Sequence, residues 1–191
     1  MKTFNFFAVF LIATVLFASC KDEEEGTSRQ VTKIYNYSQN IRGAEGVKGE
    51  LTLPALNLAD VIGIEPARNL ESAGMHLADT YLEISGLNQL ESTDTVVVVL
   101  EDFTIKVGSR QGVNIGDFTT DPQAPNEFAS DEQQSTDLFV NIIRNIFTDM
   151  TSGNKTATIT VSFTPNVSIS SSDNVQLNIS FGGTYNYLVY E

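Results

Sequence analysis

From Thr156 to Phe163 the chain alternates without a break: Ala157, Ile159, Val161 and Phe163 are apolar, and Thr156, Thr158, Thr160 and Ser162 are polar. A period of two fits a half-buried strand and excludes a helix, because successive side chains of a strand point to opposite faces. Val167 and Ile169 keep the parity past Pro165, Ser170-Ser171-Ser172-Asp173-Asn174 reads as a turn, and Val175, Leu177, Ile179 and Phe181 resume it. The pattern predicts a long antiparallel hairpin with Ile169 opposite Val175, Phe163 opposite Phe181 and Val161 opposite Gly183. Gly182-Gly183 reads as a bulge or bend where a neighbour crowds the sheet, and Tyr185, Tyr187 and Val189 carry the parity on.

Upstream, the run Val96 to Leu100 is apolar on both faces, and Phe103, Ile105 and Val107 continue on the odd face. That is a strand which starts central and ends half exposed. Val31 to Tyr37 and Val47 to Leu53 read as a second hairpin around Gly43-Ala44-Glu45-Gly46, ended by Pro54. Thr80 to Ser85 is a further strand, and Leu56 to Leu77 holds either another strand or a short helix. One segment changes period: Leu138, Phe139, Ile142, Ile143, Ile146, Phe147 and Met150 recur at three and four. This is an amphipathic helix near residues 131–151, started by Ser130 or Ser135, stopped near Gly153 and laid on the sheets as part of the core. Strands interrupted by one helix, with no strand–helix–strand rhythm, give a mainly β fold, an antiparallel β-sandwich spanning residues 29–191 as a single domain.

Composition narrows the function. Eleven Lys and Arg against 24 Asp and Glu leave a net charge of −13. A non-specific grip on nucleic acid phosphates or an anionic leaflet has no electrostatic basis in such a chain. One Cys, one His and no Trp rule out a disulfide framework, a Cys/His zinc site and tryptophan sugar platforms.

The first residues carry an address. Lys2 precedes a twelve-residue apolar run, Phe6 to Phe17, the length of a signal-peptide core and too short to span a bilayer. Phe17-Ala18-Ser19-Cys20 resembles a bacterial lipobox, with Phe17 where Leu is commonest. The resemblance implies removal of residues 1–19 and a lipid, palmitate included, on Cys20. Lys21-Asp22-Glu23-Glu24-Glu25 is similar to the acidic tether of Bacteroidetes surface lipoproteins, which implies outer-membrane anchoring with the protein facing outward. Residues 20–28 have too little apolar surface to fold and read as a flexible strap.

Sites for chemistry are few. His76, between Met75 and Leu77, has no G-x-S-x-G or other nucleophile motif to serve and reads as structural. Glu101 is a carboxylate on a mostly apolar strand face, the one conflict in the pattern. A glycosidase would need a second carboxylate facing it across about 5–9.5 Å. Asp117 and Asp121 lack the ligand alternation of a calcium loop, and Gly108, Gly112 and Gly116 lack the spacing of a phosphate or dinucleotide loop. No cofactor or metal is expected. Tyr35 and Tyr37 share one face of a strand and are the candidate sugar-stacking pair; Tyr81 and Tyr190 are further candidates. Asp94-Thr95-Val96 resembles the Bacteroidetes O-glycosylation acceptor, with Thr95 as the modified residue. The expected function is a non-catalytic surface binding module for glycan or a surface protein. The alternatives are a pilin-like subunit, cut at Arg29 and assembled by strand exchange, and a glycoside hydrolase using Glu101.

Overall fold

The computed structural model describes residues 26–44, 49–87, 97–119, 127–129, 136–170 and 172–190. Two antiparallel sheets enclose the core, and the fold is mainly β and sandwich-like. The long sheet holds β1 (Thr27–Asn40), β4 (Leu70–Ser85), β8 (Glu127–Ala129) and β11 (Gln176–Val189), in the order β1-β11-β4-β8. β1 lies on β11 along its whole length, from Thr27 opposite Val189 to Asn40 opposite Gln176. The second sheet holds β2 (Leu51–Thr52), β5 (Val99–Val107), β6 (Val113–Asn114) and β10 (Ile159–Pro165), ordered β2-β10-β5-β6, with β7 (Phe118–Thr119) also on β5. A short pair, β3 (Leu56–Asn57) with β9 (Thr156–Ala157), closes one side.

The period-two reading found the buried faces and missed the partners. Ile159, Val161 and Phe163 of β10 and Leu177, Ile179 and Phe181 of β11 are all buried, as the alternation requires. The two strands do not form the expected hairpin. After the turn closed by Asp173 N–H on the Ser170 carbonyl, the chain changes sheets: β10 pairs with β5 and β2, and β11 pairs with β1 and β4. Phe163 therefore stacks on Phe103, ring centroids 5.5 Å apart, and Phe181 meets Tyr35 and Phe147. The expected hairpin between residues 31–37 and 47–53 fails the same way, since β1 and β2 belong to different sheets. Alternation states which face is apolar; it carries no information on which strand lies alongside.

β5 resolves the Glu101 conflict. Asp102 adopts φ +54°, and the β5–β10 register slips between Ser162 and Thr164, a β-bulge. Asp102 N–H donates to Asp117 Oδ1 (2.9 Å), and Asn114 Nδ2 donates to Asp102 Oδ1 (3.0 Å). The extra residue shifts the phase, so Val98 and Leu100 are buried before it and Phe103, Ile105 and Val107 after it. Glu101 is thereby exposed.

Three helices are present among the described residues rather than one. The stretch Leu56 to Leu77, expected to hold a strand or a short helix, holds both: α1 (Leu58–Ile62) and α2 (Ile64–Arg68) lie between β3 and the start of β4. α3 (Thr136–Thr151) matches the amphipathic segment, while residues 130–135, with Ser130 and Ser135, lie outside the described residues. Its apolar stripe, Phe139, Ile142, Ile143, Ile146, Phe147 and Met150, is buried against both sheets, whereas Leu138 is exposed. The helix stops as Lys155, at φ +56°, turns the chain, and its Nζ donates to the Thr151 carbonyl (3.2 Å). Arg110 forks onto Asp149 (2.6 and 2.7 Å), fastening the C-terminal turn of α3 to the β5–β6 connection.

Candidate functional site on the outer face of the long sheet

Even-numbered residues of β1 and β11 point away from the core. They are rich in Ser, Thr, Asn and Gln, and they bond across strands in rows. Gln30 Nε2 donates to Asn186 Oδ1 (2.9 Å), and Asn186 Nδ2 donates to Ser72 Oγ (2.9 Å). Ser38 Oγ donates to Asn178 Oδ1 (2.6 Å), whose Nδ2 donates to Ser85 Oγ (2.9 Å). Between them the hydroxyls of Thr32 and Thr184 lie 3.0 Å apart, and Thr184 Oγ1 is 2.9 Å from His76 Nε2. Neutral cross-strand pairs of this kind steady a sheet and leave spare donors and acceptors facing water.

The centre of this face is irregular. Opposite Ser180 and Gly182 the β4 register jumps from Tyr81 to His76, so β4 bulges through Leu77 to Thr80. Thr80 Oγ1 closes the bulge on the His76 carbonyl (3.0 Å). Gly182 is buried here beside His76: a methyl group on it would meet His76 Cβ at 3.5 Å, an ordinary contact. Ile34, opposite Gly182 on β1, is 54% exposed, and Leu77 in the bulge is also exposed. Tyr81 shares the outer face beside Ser180. Bulges re-aim side chains and occur often beside functional sites. The bulge expected at Gly182-Gly183 falls instead between Ser180 and Gly182, with its extra residues on β4, and Gly182-Gly183 pairs in register with His76 and Met75. Gly183 faces inward, where a methyl group would come within 2.7 Å of Phe147 Cε2, so the crowding neighbour is α3.

The tyrosines expected to stack on sugar lie on the other side of the sheet. Tyr37 is buried, with its hydroxyl donating to the Pro54 carbonyl (2.7 Å), and burial raises its phenol well above the ordinary value, with Tyr35 adding to the shift. Tyr35 is half-buried with its ring 5.6 Å from Phe181, and its phenol is raised by burial and then by the Asp60 charge. Their shared parity was read correctly and its direction was not, because β1 turns its odd side to the core. Of the other tyrosines considered, Tyr81 shares the outer face beside Ser180, half-buried, and Tyr190 is exposed. Cys20 and Thr95 lie outside the described residues.

His76 and Thr184 are close enough for a base and a nucleophile. A working pair needs a third group to orient the imidazole, and among the described residues no carboxylate bonds to His76. Thr184 and His76 read instead as one row of a hydrogen-bonding surface. Two shallow grooves on the second sheet share Ser109 and Arg110. One, of about 290 Å³, is lined by Lys106, Glu50 and hydroxyls, and the other, of about 470 Å³, by Asp149 and Asn154 among others. Among the described residues no three His, Cys, Asp or Glu side chains gather as metal ligands would. No family model, curated protein or solved structure matches the chain.

Proposed function

We propose that this protein is a lipid-anchored, non-catalytic cell-surface module that captures uncharged glycans on the outer face of its long sheet. The carrying observation is the row Thr32–Thr184–His76 beside Gly182, set in a neutral amide and hydroxyl face. Sugar hydroxyls both donate and accept, as do Ser, Thr, Asn, Gln and His, whereas carboxylates only accept. Ile34, Leu77 and Tyr81 offer the apolar contact that the C–H face of a pyranose needs. Chain-wide, carboxylates outnumber cations by 13, yet Glu83, opposite Asn178, and Glu71, bonded to Ser28, sit toward the two ends of this face and away from the Thr32–Thr184–His76 row. Uronates and sulfated glycans are disfavoured by the net charge.

A glycan array tests this directly. The wild-type protein is expected to retain neutral oligosaccharides, and Gly182→Val with Thr184→Ala to lose at least tenfold in affinity. Retention by the double variant, or none by the wild type, removes the reading. The outer edge of β1 favours a second, structural reading, because a strand-exchange assembly would swap such an element. Arg29 is the third residue of β1, opposite Tyr187, so cleavage there would leave residues 30–40 still paired. Denaturant-resistant oligomers after cleavage at Arg29 would support assembly.

A further inference from the structure

β1 ends the long sheet, and among the described residues its second edge makes no ladder. Ile41 N–H donates to the Val175 carbonyl (3.0 Å), in register with the β1–β11 ladder. Odd residues of β1 therefore bond to β11, and the N–H and C=O groups of even residues from Ser28 to Asn40 point out along the open edge. Such edges are usually blunted by shortness, proline, a bulge or a charge turned toward the core. β1 has 14 residues, no Pro, no Gly and an unbroken register with β11. Only the last device is present, in Arg29 and Lys33, which are exposed and share the parity of the core side. β1 holds no Asp or Glu, so two copies of this acidic chain repel least along it.

Two copies can pair antiparallel about a two-fold axis, and two registers use nearly the whole strand. An axis at Lys33 sets that cation against its own copy, which is repulsive. An axis at Ile34 faces Ser28 with Asn40, Gln30 with Ser38, Thr32 with Asn36 and Ile34 with itself, forming about 14 hydrogen bonds. Ile34, 54% exposed in one chain, is then covered by its copy. Lys33 comes to lie opposite Tyr35 of the partner. Asp60, exposed on α1, is near enough to Tyr35 for its charge to add to burial in raising the phenol. The cation that guards the edge thus meets a carboxylate. We propose that the protein forms a two-fold dimer by antiparallel pairing of two β1 edges about Ile34, with each Lys33 beside the partner's Asp60. The two long sheets become one, and both Thr32–Thr184–His76 rows lie on the same face. The dimer stands independently of the glycan and anchor readings.

The test uses the full-length protein purified in detergent. Ile34→Cys places two thiols at the axis, where facing Cα atoms of a bonded pair lie about 5.5 Å apart, within disulfide reach. Mild oxidation is expected to give a linked dimer, with residue 34 joined to residue 34 when the digest is read by mass spectrometry. Ser38→Cys, on the same face but about 27 Å from its copy, is the control and is expected to link at least tenfold less. If Ile34→Cys does not fold, a mixture of Thr32→Cys and Asn36→Cys, which face each other in this register, replaces it. Lys33→Glu should cut the linked fraction at least fivefold, and adding Asp60→Lys should restore it. Equal linking at residues 34 and 38, a monomeric wild-type mass by sedimentation, or a Lys33→Glu loss that Asp60→Lys does not rescue overturns the proposal.

Discussion

Gly182 and Gly183 are neighbours with opposite duties. Gly183 faces inward, where Phe147 Cε2 and the Tyr185 hydroxyl would be 2.7 and 2.8 Å from an added methyl group. Overpacking of this kind costs about 1–3 kcal/mol. Gly183→Ala is therefore expected to lower the urea midpoint clearly, while Gly182→Ala, whose nearest new contact is 3.5 Å, leaves it nearly unchanged. Tyr185 adds a pH dependence. Burial pushes its phenol up to about 12 from an ordinary 10.0. The folded protein then holds this proton more tightly than the unfolded chain, so the contribution is complete below pH 10 and is lost as pH rises from 10 to 12. At 1% exposure, such a group removes about 2–3 kcal/mol over that window. Urea titrations at pH 9 and pH 12 should show the loss, and Tyr185→Phe should reduce it.

At the scale of elements, the joint between α3 and the second sheet is ionic at its rim. The Arg110–Asp149 fork has side-chain exposures of 38% and 22%, so water screens it and its worth is on the order of 1 kcal/mol. Arg110→Ala should lower the thermal midpoint by a few degrees at low salt and by less in 1 M NaCl; an equal loss at both would mean that packing, not charge, holds the joint. The elements themselves were largely legible. Leu177 and Ile159 declared strands because their polar neighbours alternate, and Ile142, Ile146 and Met150 declared a helix because theirs do not. Pairing was not legible, since a Ser-rich turn such as residues 170–173 serves a sheet change as readily as a hairpin. The bulge at Asp102 was visible only as a conflict at Glu101, and nothing local in Leu77 to Thr80 marks the β4 bulge that shapes the candidate site. Tyr35 and Tyr37 misled because a strand with polar residues on one side and tyrosines on the other reads equally well inside out.

Over the whole molecule, the proposed lipid on Cys20 would decide where the sheet face is displayed. Cys20→Ser is expected to move the protein from the membrane fraction to the soluble one without changing its circular dichroism, since Cys20 precedes the first strand; an unchanged membrane fraction would refute acylation as the anchor. β1 starts one residue after Gly26 and is bonded to β11 through Asn40. A pull on the strap thus runs along the strand axis and loads this ladder in shear, with the bonds sharing the force instead of parting one after another. On the proposed anchoring, such a head would resist flow while gripping a ligand, with its mechanical strength set by β1 and its ladder to β11.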